Sequence, residues 1–224
     1  MAGVFISFEG GEGAGKTTQI KRIAEALTAQ GHEVVTTREP GGTPEGDKVR
    51  SLLVNSDGGN WSPEAEVMLF FVSRAMHVRD LIIPALNAGK IILCDRFTDS
   101  TRVYQCAGRG LGRAGIEQVK EFSIGMLEPD LTLIMDLPVS AGLARAKSRA
   151  SSNVAVGKAA EDRFENVDIA FHERLRHGYL DLAAEYPNRC KVINVDTDLD
   201  TVTVRLLSTI TTYLATRDTH LAVG

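Results

Sequence analysis

Sulfur is scarce in this chain. Its 224 residues include three cysteines, Cys94, Cys106 and Cys190, far apart and odd in number. No pair has the spacing of a metal site, and nothing suggests a disulfide framework; a reduced, cytoplasmic protein with buried thiols is the simple reading. Long apolar runs are absent too. No stretch approaches the ~20 residues that cross a bilayer, and the N-terminus lacks the charged and apolar regions of a signal peptide. No membrane partner is expected. Positive charge is not in excess: 25 Lys and Arg against 29 Asp and Glu give a net charge of −4. That argues against a nucleic-acid partner, while leaving room for a local basic pocket. The five histidines have no metal-ligand company; His172 and His177 are five apart and off a shared helix face. The Asn-Lys-x-Asp of a guanine site is missing, which disfavours a GTPase.

What is present is regular alternation. Val4–Phe8, Glu33–Thr37, Lys90–Cys94, Leu131–Met135 and Lys191–Val195 are short apolar or β-branched runs, as expected of strands covered on both faces. Between them apolar residues recur at helical spacing: Ile20, Ile23, Ala24 and Leu27 in one helix, Phe164, Val167, Phe171, Leu175, Tyr179 and Leu182 in another, and Leu199, Val202, Leu206, Ile210 and Leu214 in the last. This predicts an α/β fold, a doubly wound five-stranded parallel sheet flanked by helices, in one domain over residues 1–224. The stretch 148–163 is rich in Ser, Ala and Gly and has little to bury. It reads as a mobile lid or as a plain surface loop.

Gly10-Gly11-Glu12-Gly13-Ala14-Gly15-Lys16-Thr17 follows the first strand and opens a helix. That is the context of a P-loop, whose backbone N–H groups converge on phosphate oxygens at a helix N-terminus. Lys16 is placed to reach the β- and γ-phosphates of ATP, and Thr17 to ligate Mg²⁺. The third strand ends in Asp95-Arg96-Phe97 rather than the Asp-Glu of many ATPase motors. Asp95 suits Mg²⁺ or its water. An arginine directly after it suggests a second anion beside the metal, and so phosphoryl transfer rather than hydrolysis.

Other stretches supply the groups for an acceptor. Thr37-Arg38-Glu39-Pro40-Gly41-Gly42-Thr43 lies at the end of the second strand, where parallel sheets bind ligands. Phe70 and Arg74 are four apart on a helix, a flat ring and a guanidinium on one face. Phe70 also sits among Leu69, Phe71 and Val72, so it reads either as core or as a platform for a base. Thr101, Tyr104 and Gln105 share a face if helical, for packing or for a ligand. Arg74 and Arg96 read as anion ligands or as surface ion-pair partners.

In this order and combination the motifs resemble the bacterial type of thymidylate kinase. FEG-x-EGAGKTT, TREPGGT, LFF-x-x-R, DRF-x-DST-x-x-YQ, GRGL and the late DRFE all occur in family order. The resemblance implies transfer of the γ-phosphate of ATP to dTMP with Mg²⁺, a mobile lid and a homodimer. It places thymine on Phe70 and the base or phosphate edge on Arg74. Arg96 and Arg38 take the acceptor phosphate, Tyr104 crowds the sugar 2′ position, and Thr101 and Gln105 meet the pyrimidine edge. Glu39 and Asp95 order Mg²⁺ and its waters, and Glu12 accepts from the sugar 3′-OH. The chain departs from the family pattern in having Cys106 after Tyr-Gln and in a longer lid. The helices around 64–80 and 113–127 are candidates for the dimer interface. Adenine contacts are expected near Asp196-Thr197-Asp198.

Some relatives carry an arginine in the loop where this chain has Gly13. Phosphoryl transfer relies on alignment and positive charge, so the lid is expected to supply that charge: Arg149 first, Arg163 second, Arg145 third. A solvated basic helix face is the alternative for each. Competing functions are a kinase for a different small acceptor, or a non-catalytic nucleotide switch.

Overall fold

The structure, a computed structural model, describes residues 3–55, 58–155 and 167–222, and among them the side chains of all but 149–155 and 218–222. Five strands form one sheet: β1 (Val4–Glu9), β2 (Val34–Arg38), β3 (Ile91–Asp95), β4 (Leu131–Asp136) and β5 (Cys190–Asn194). All pairings are parallel, in the order β2-β3-β1-β4-β5. Each strand lies within a residue of its expected place. The helices are α1 (Lys16–Ala29), α2 (Pro44–Val54), α3 (Pro63–His77), α4 (Ile83–Asn87), α5 (Thr98–Thr101), α6 (Arg113–Ile124), α7 (Val139–Ala155), α8 (Ile169–Glu185) and α9 (Leu199–Ala222). Wider π-helical turns run at Val78–Ile82 and Arg102–Gly108.

β1 is central, with β3 on one side and β4 on the other. The direction of winding therefore changes at β1, and the loops leaving its C-terminal end part to open a crevice. The two faces of β1 differ in a way that matters for that crevice. Val4, Ile6 and Phe8 point to one face, where they pack with Ile20, Ile23 and Leu27 of α1 and Val202, Leu206 and Ile210 of α9. Phe5, Ser7 and Glu9 point to the other, by the two-residue period of a strand. Phe5 meets Phe97 edge-on at 4.8 Å. Ser7 is hydrogen-bonded to Thr132 of β4 at 3.0 Å. Glu9 is fully buried. That face thus turns from apolar to polar as it nears the crevice.

Thr132 continues the polar line by donating to Asp99 at 3.0 Å. Asp99, itself fully buried, also accepts from Arg102 at 2.9 Å and from both terminal nitrogens of Arg189 at 2.5 and 3.0 Å. One short carboxylate thereby ties α5 to the π-helical turn and to the start of β5.

One sequence expectation shifts. The apolar face assigned to one helix from Phe164 onward belongs to α8 only from Ile169. Asp168 caps that helix, its carboxylate accepting from the Phe171 N–H at 2.7 Å. Val167 precedes the helix, and Phe164 lies outside the described residues. Residues 148–155, within the expected lid segment, continue α7; the remainder of that segment lies outside the described residues. Among the described residues, no helix is long and apolar enough to cross a membrane.

Candidate active site

The loop between β1 and α1 leaves its helix end open. Gly15 stands at the N-cap in a left-handed conformation, no side chain caps α1, and its first turn holds no acidic residue. By contrast Thr43, Ser62 and Asp168 cap α2, α3 and α8. The free N–H groups of α1 and the helix dipole favour an anion there. Lys16 lies back across the loop, donating to the Gly10 and Gly11 carbonyls, each at 3.1 Å. Burial, and then the Arg96 charge, lower its pKa, while Asp95, Glu12 and Glu9 act the other way.

The Thr17 hydroxyl donates to the Asp95 carboxylate at 2.8 Å. Among the described residues no cluster of three or more His, Cys, Asp or Glu could cage a metal. A hydroxyl and one carboxylate beside a phosphate loop fit Mg²⁺, which keeps several waters and takes few protein ligands.

Gly13 is set by packing. Its φ is +70°, and a Cβ there would lie 2.0 Å from the Gly142 carbonyl oxygen of α7. In return, a Cβ on Gly142 would lie 2.4 Å from the Glu12 carbonyl oxygen. The two backbones touch, so no side chain fits in the loop after Glu12 unless α7 moves. The missing charge in this loop is therefore a consequence of how closely α7 seats on it.

Opposite the loop stands Arg96, the one non-glycine with positive φ among the described residues, at 72°. Its guanidinium donates to Glu12 at 2.8 Å and to the hydroxyls of Ser100 and Tyr179, each at 3.1 Å. It also lies over the Tyr104 ring, 5.0 Å from the centroid. The Tyr104 hydroxyl donates to the same Glu12 oxygen at 2.8 Å. Glu12 of the P-loop and Arg96 of β3's exit are thus directly joined.

Arg74, only 2% exposed, donates to Glu39 at 2.6 Å, to the Phe97 carbonyl at 3.2 Å and to Thr101 at 3.1 Å. Its Nη1 is buried with no hydrogen-bond partner, as is Oε1 of Gln105. The Gln105 amide donates to Glu66 at 3.4 Å. Phe70 is half-buried, whereas Phe71 enters the core with Val67 and Ile116. That separates the two rings that the sequence left ambiguous.

The other expected residues are placed as follows. Both Glu39 oxygens are hydrogen-bonded, one to Arg74 and one to His77 at 2.9 Å. Thr101 and Gln105 face α3, but Tyr104 turns to the P-loop, because the helix widens to π geometry from Arg102. Arg145 reaches 3.8 Å from Asp196 on the outer surface. Arg38 is exposed, 3.9 Å from Asp47. Arg149 lies on α7 with its side chain outside the description, and Arg163 lies outside the described residues.

Against known proteins, the family model described as Thymidylate kinase matches residues 8–205. The chain belongs to the thymidylate kinase family. A thymidylate kinase of Caulobacter vibrioides is 50% identical over 204 residues, covering 91% of this chain and 94% of that protein. One of Desulfosudis oleivorans is 52% identical over 192 residues, 85% of this chain and 88% of the other. The crystal structure of thymidylate kinase from Ehrlichia chaffeensis superposes with a TM-score of 0.73 at 33% identity, over 94% of this chain and 99% of that one. Family membership makes the chain a phosphotransferase with ATP as donor and Mg²⁺ as its metal.

Four residues around this site escaped the sequence reading. Glu9 and Ser100 stand inside the FEG and DST motifs without a role assigned to them, His77 has none either, and Tyr179 reads as one more apolar-face residue. The one available signal was a carboxylate ending a strand buried on both faces. Glu9 accepts from the Phe97 N–H at 2.7 Å and from the Ser100 hydroxyl at 2.5 Å. Burial, and then the neighbouring Asp99 charge, push its pKa from 4.5 up to about 7, against Ser100, Arg96 and the Phe97 N–H.

The folded state therefore holds the Glu9 proton more tightly than the unfolded chain, and the stability this group contributes falls as pH rises from about 4.5 to about 7. Thermal unfolding across that range should show Glu9→Gln gaining on the wild type as pH rises. A difference that stays constant, or that moves in favour of the wild type as pH rises, would contradict the shift.

Proposed function

We propose a division of labour among these residues for the reaction that family membership gives the chain, transfer of the γ-phosphate of ATP to dTMP. The carrying observation is the direct link between two anion-holding elements, the P-loop and Arg96, joined through Glu12 at 2.8 Å. A hydrolase or a nucleotide switch has no use for the second one.

The open N-terminus of α1, the loop from Gly10 to Thr17 and Lys16 bind the ATP phosphates. Thr17 and Asp95 would hold Mg²⁺, which neutralises charge on the phosphate oxygens. Lys16 leaves its two loop carbonyls for the phosphates, a cheap exchange because those carbonyls lie in the same loop. Arg96 takes the acceptor phosphate, and Arg38 extends that side at the end of β2. Phe70 stacks on thymine. The unpartnered Nη1 of Arg74 and Oε1 of Gln105 are a donor and an acceptor, matching a pyrimidine carbonyl and ring N–H, with Thr101 between them. Unpaired buried polar atoms cost about 1–3 kcal/mol each, so a ligand that satisfies both is favoured over one that does not. Tyr104 crowds the sugar 2′ position. Glu12 exchanges Arg96 and Tyr104 for the sugar 3′-OH. Glu39 and His77 hold Arg74 in place. No general base is required, because the acceptor phosphate is already an anionic nucleophile.

The remaining charge over the transferring group is assigned to Arg149. Gly13 offers none, and Arg149 stands two turns, about 10 Å, beyond Gly142 along the helix that seats on the loop.

We further propose a cytoplasmic homodimer. Its support is an apolar patch on α3 and just around the end of α6: Met68 is 59% exposed, Val72 51%, Phe122 95% and Met126 80%. Apolar surface of this density is commonly an interface. The free thiols of Cys94, Cys106 and Cys190 fit a reducing compartment.

Coupled ADP release tests the function. Wild type should release ADP on addition of dTMP, and Arg149→Ala should lower kcat by about a hundredfold or more, the scale of an arginine at a phosphoryl transition state, with little change in dTMP KM. No dTMP-dependent release from wild type overturns the function; near-normal turnover of the variant overturns the Arg149 role. For the dimer, Phe122→Glu should sediment as a monomer where wild type sediments as a dimer. Wild type that is monomeric at all concentrations, or a variant that stays dimeric, removes the interface.

A further inference from the structure

We infer that Tyr179, with Ser100 and Glu9, forms a positioning set that aims Arg96 at the acceptor phosphate. The inference rests on the Arg96 role proposed above and adds residues that do not themselves touch substrate.

The directions of the hydrogen bonds support it. Arg96 Nη1 donates to both Tyr179 and Ser100 at 3.1 Å. The two hydroxyls are 2.9 Å apart, and Tyr179 also lies 3.3 Å from Glu9 Oε2. Ser100 donates its proton to that same oxygen at 2.5 Å. Each link points from the guanidinium toward the carboxylate, so Arg96 Nη1 is fixed from behind. Nη2 is left to face Glu12 and the crevice.

The same carboxylate fixes the backbone. Glu9 Oε1 accepts from the Phe97 N–H at 2.7 Å, the peptide directly after Arg96. Arg96 itself occupies a left-handed conformation at φ 72°, which costs a non-glycine residue about 1 kcal/mol or more and persists only where the surroundings impose it. Glu9 thus sets both ends of the residue, its turn through Phe97 and its guanidinium through Ser100 and Tyr179.

Tyr179 is 2% exposed and packs its ring with Phe171, Leu175 and Leu182 of α8. Burial and the Glu9 charge keep its phenol protonated. The ring's place in the core explains an aromatic residue; it does not explain a hydroxyl among Arg96, Ser100 and Glu9. Phenylalanine would fill the same volume without bringing a polar group into a buried site.

Steady-state kinetics of Tyr179→Phe, Ser100→Ala and Ser100→Thr, with Tyr179→Phe also made in an Arg96→Lys background, test the inference alongside thermal unfolding. A lost hydrogen bond to a charged group predicts kcat/KM for dTMP lower by about ten- to a hundredfold in Tyr179→Phe and Ser100→Ala. The KM for ATP should change less than about twofold, since the phosphate loop is untouched. Ser100→Thr keeps the hydroxyl and should restore most of the loss. In the Arg96→Lys background Tyr179→Phe should add little. Equal losses in both backgrounds, or ATP and dTMP constants moving together, make Tyr179 a merely structural residue and overturn the inference. If Arg96→Lys is impaired toward dTMP while Tyr179→Phe is not, the positioning set falls and the Arg96 role stands. If Arg96→Lys handles dTMP normally, the Arg96 role falls and the inference with it.

Discussion

The site depends on a carboxylate buried at the end of the central strand. Glu9 occupies an inward position on β1 where the pattern of the strand calls for an apolar residue. Its two oxygens collect the Phe97 N–H, the Ser100 hydroxyl and the Tyr179 hydroxyl. Burying it is costly, and burial is the first cause of its raised pKa. The return is local. The chain leaving β3 turns through a left-handed residue, and that residue's guanidinium is directed across the crevice. Asp99 performs a similar task a few residues later, holding the next turn against Arg102 and Arg189. Together with Ser7 and Thr132 they form a polar line through one face of an otherwise apolar core.

A second constraint is steric. The P-loop and α7 approach until Gly13 and Gly142 leave no space for a Cβ. The proposed roles follow this geometry: the loop's amides and Lys16 for the donor, Glu12 for the acceptor side, and positive charge for the transfer from outside the loop. Glu12 and Arg96 satisfy one another at 2.8 Å. In the roles proposed for them, the acceptor would replace this contact instead of filling an empty one, with a sugar hydroxyl for Glu12 and a phosphate for Arg96. Each group would trade one partner for another, so neither would be left bare in a partly buried site.

The parallel sheet was legible because each strand is a compact apolar run, and the phosphate loop because its glycines, Lys16 and Thr17 are consecutive. Arg96, Tyr104 and Glu12 could be named from motifs, but their meeting could not, since it joins positions more than eighty residues apart. Glu39 took its role from the resemblance alone; its hydrogen-bond partners, Arg74 and His77, arrive from α3 and could not be read from its own stretch. Tyr179 hid inside a helical apolar pattern, where spacing reports burial of the ring and is silent about the hydroxyl. The start of α8 was misplaced because Val167 fits the apolar period while Asp168, one residue later, ends it as a cap. Periodicity finds elements and faces. It does not find side chains whose role is fixed by partners distant in sequence.

The central claim is that Arg96, aimed by the Glu9 carboxylate, reads the acceptor's phosphate. Calorimetric binding of dTMP and of thymidine to wild type and to Arg96→Lys measures this directly, because the two ligands differ only in the phosphate. The account predicts that wild type prefers dTMP, and that the preference shrinks about tenfold or more in the variant while thymidine binding is unchanged. A preference of the same size in both proteins would contradict it.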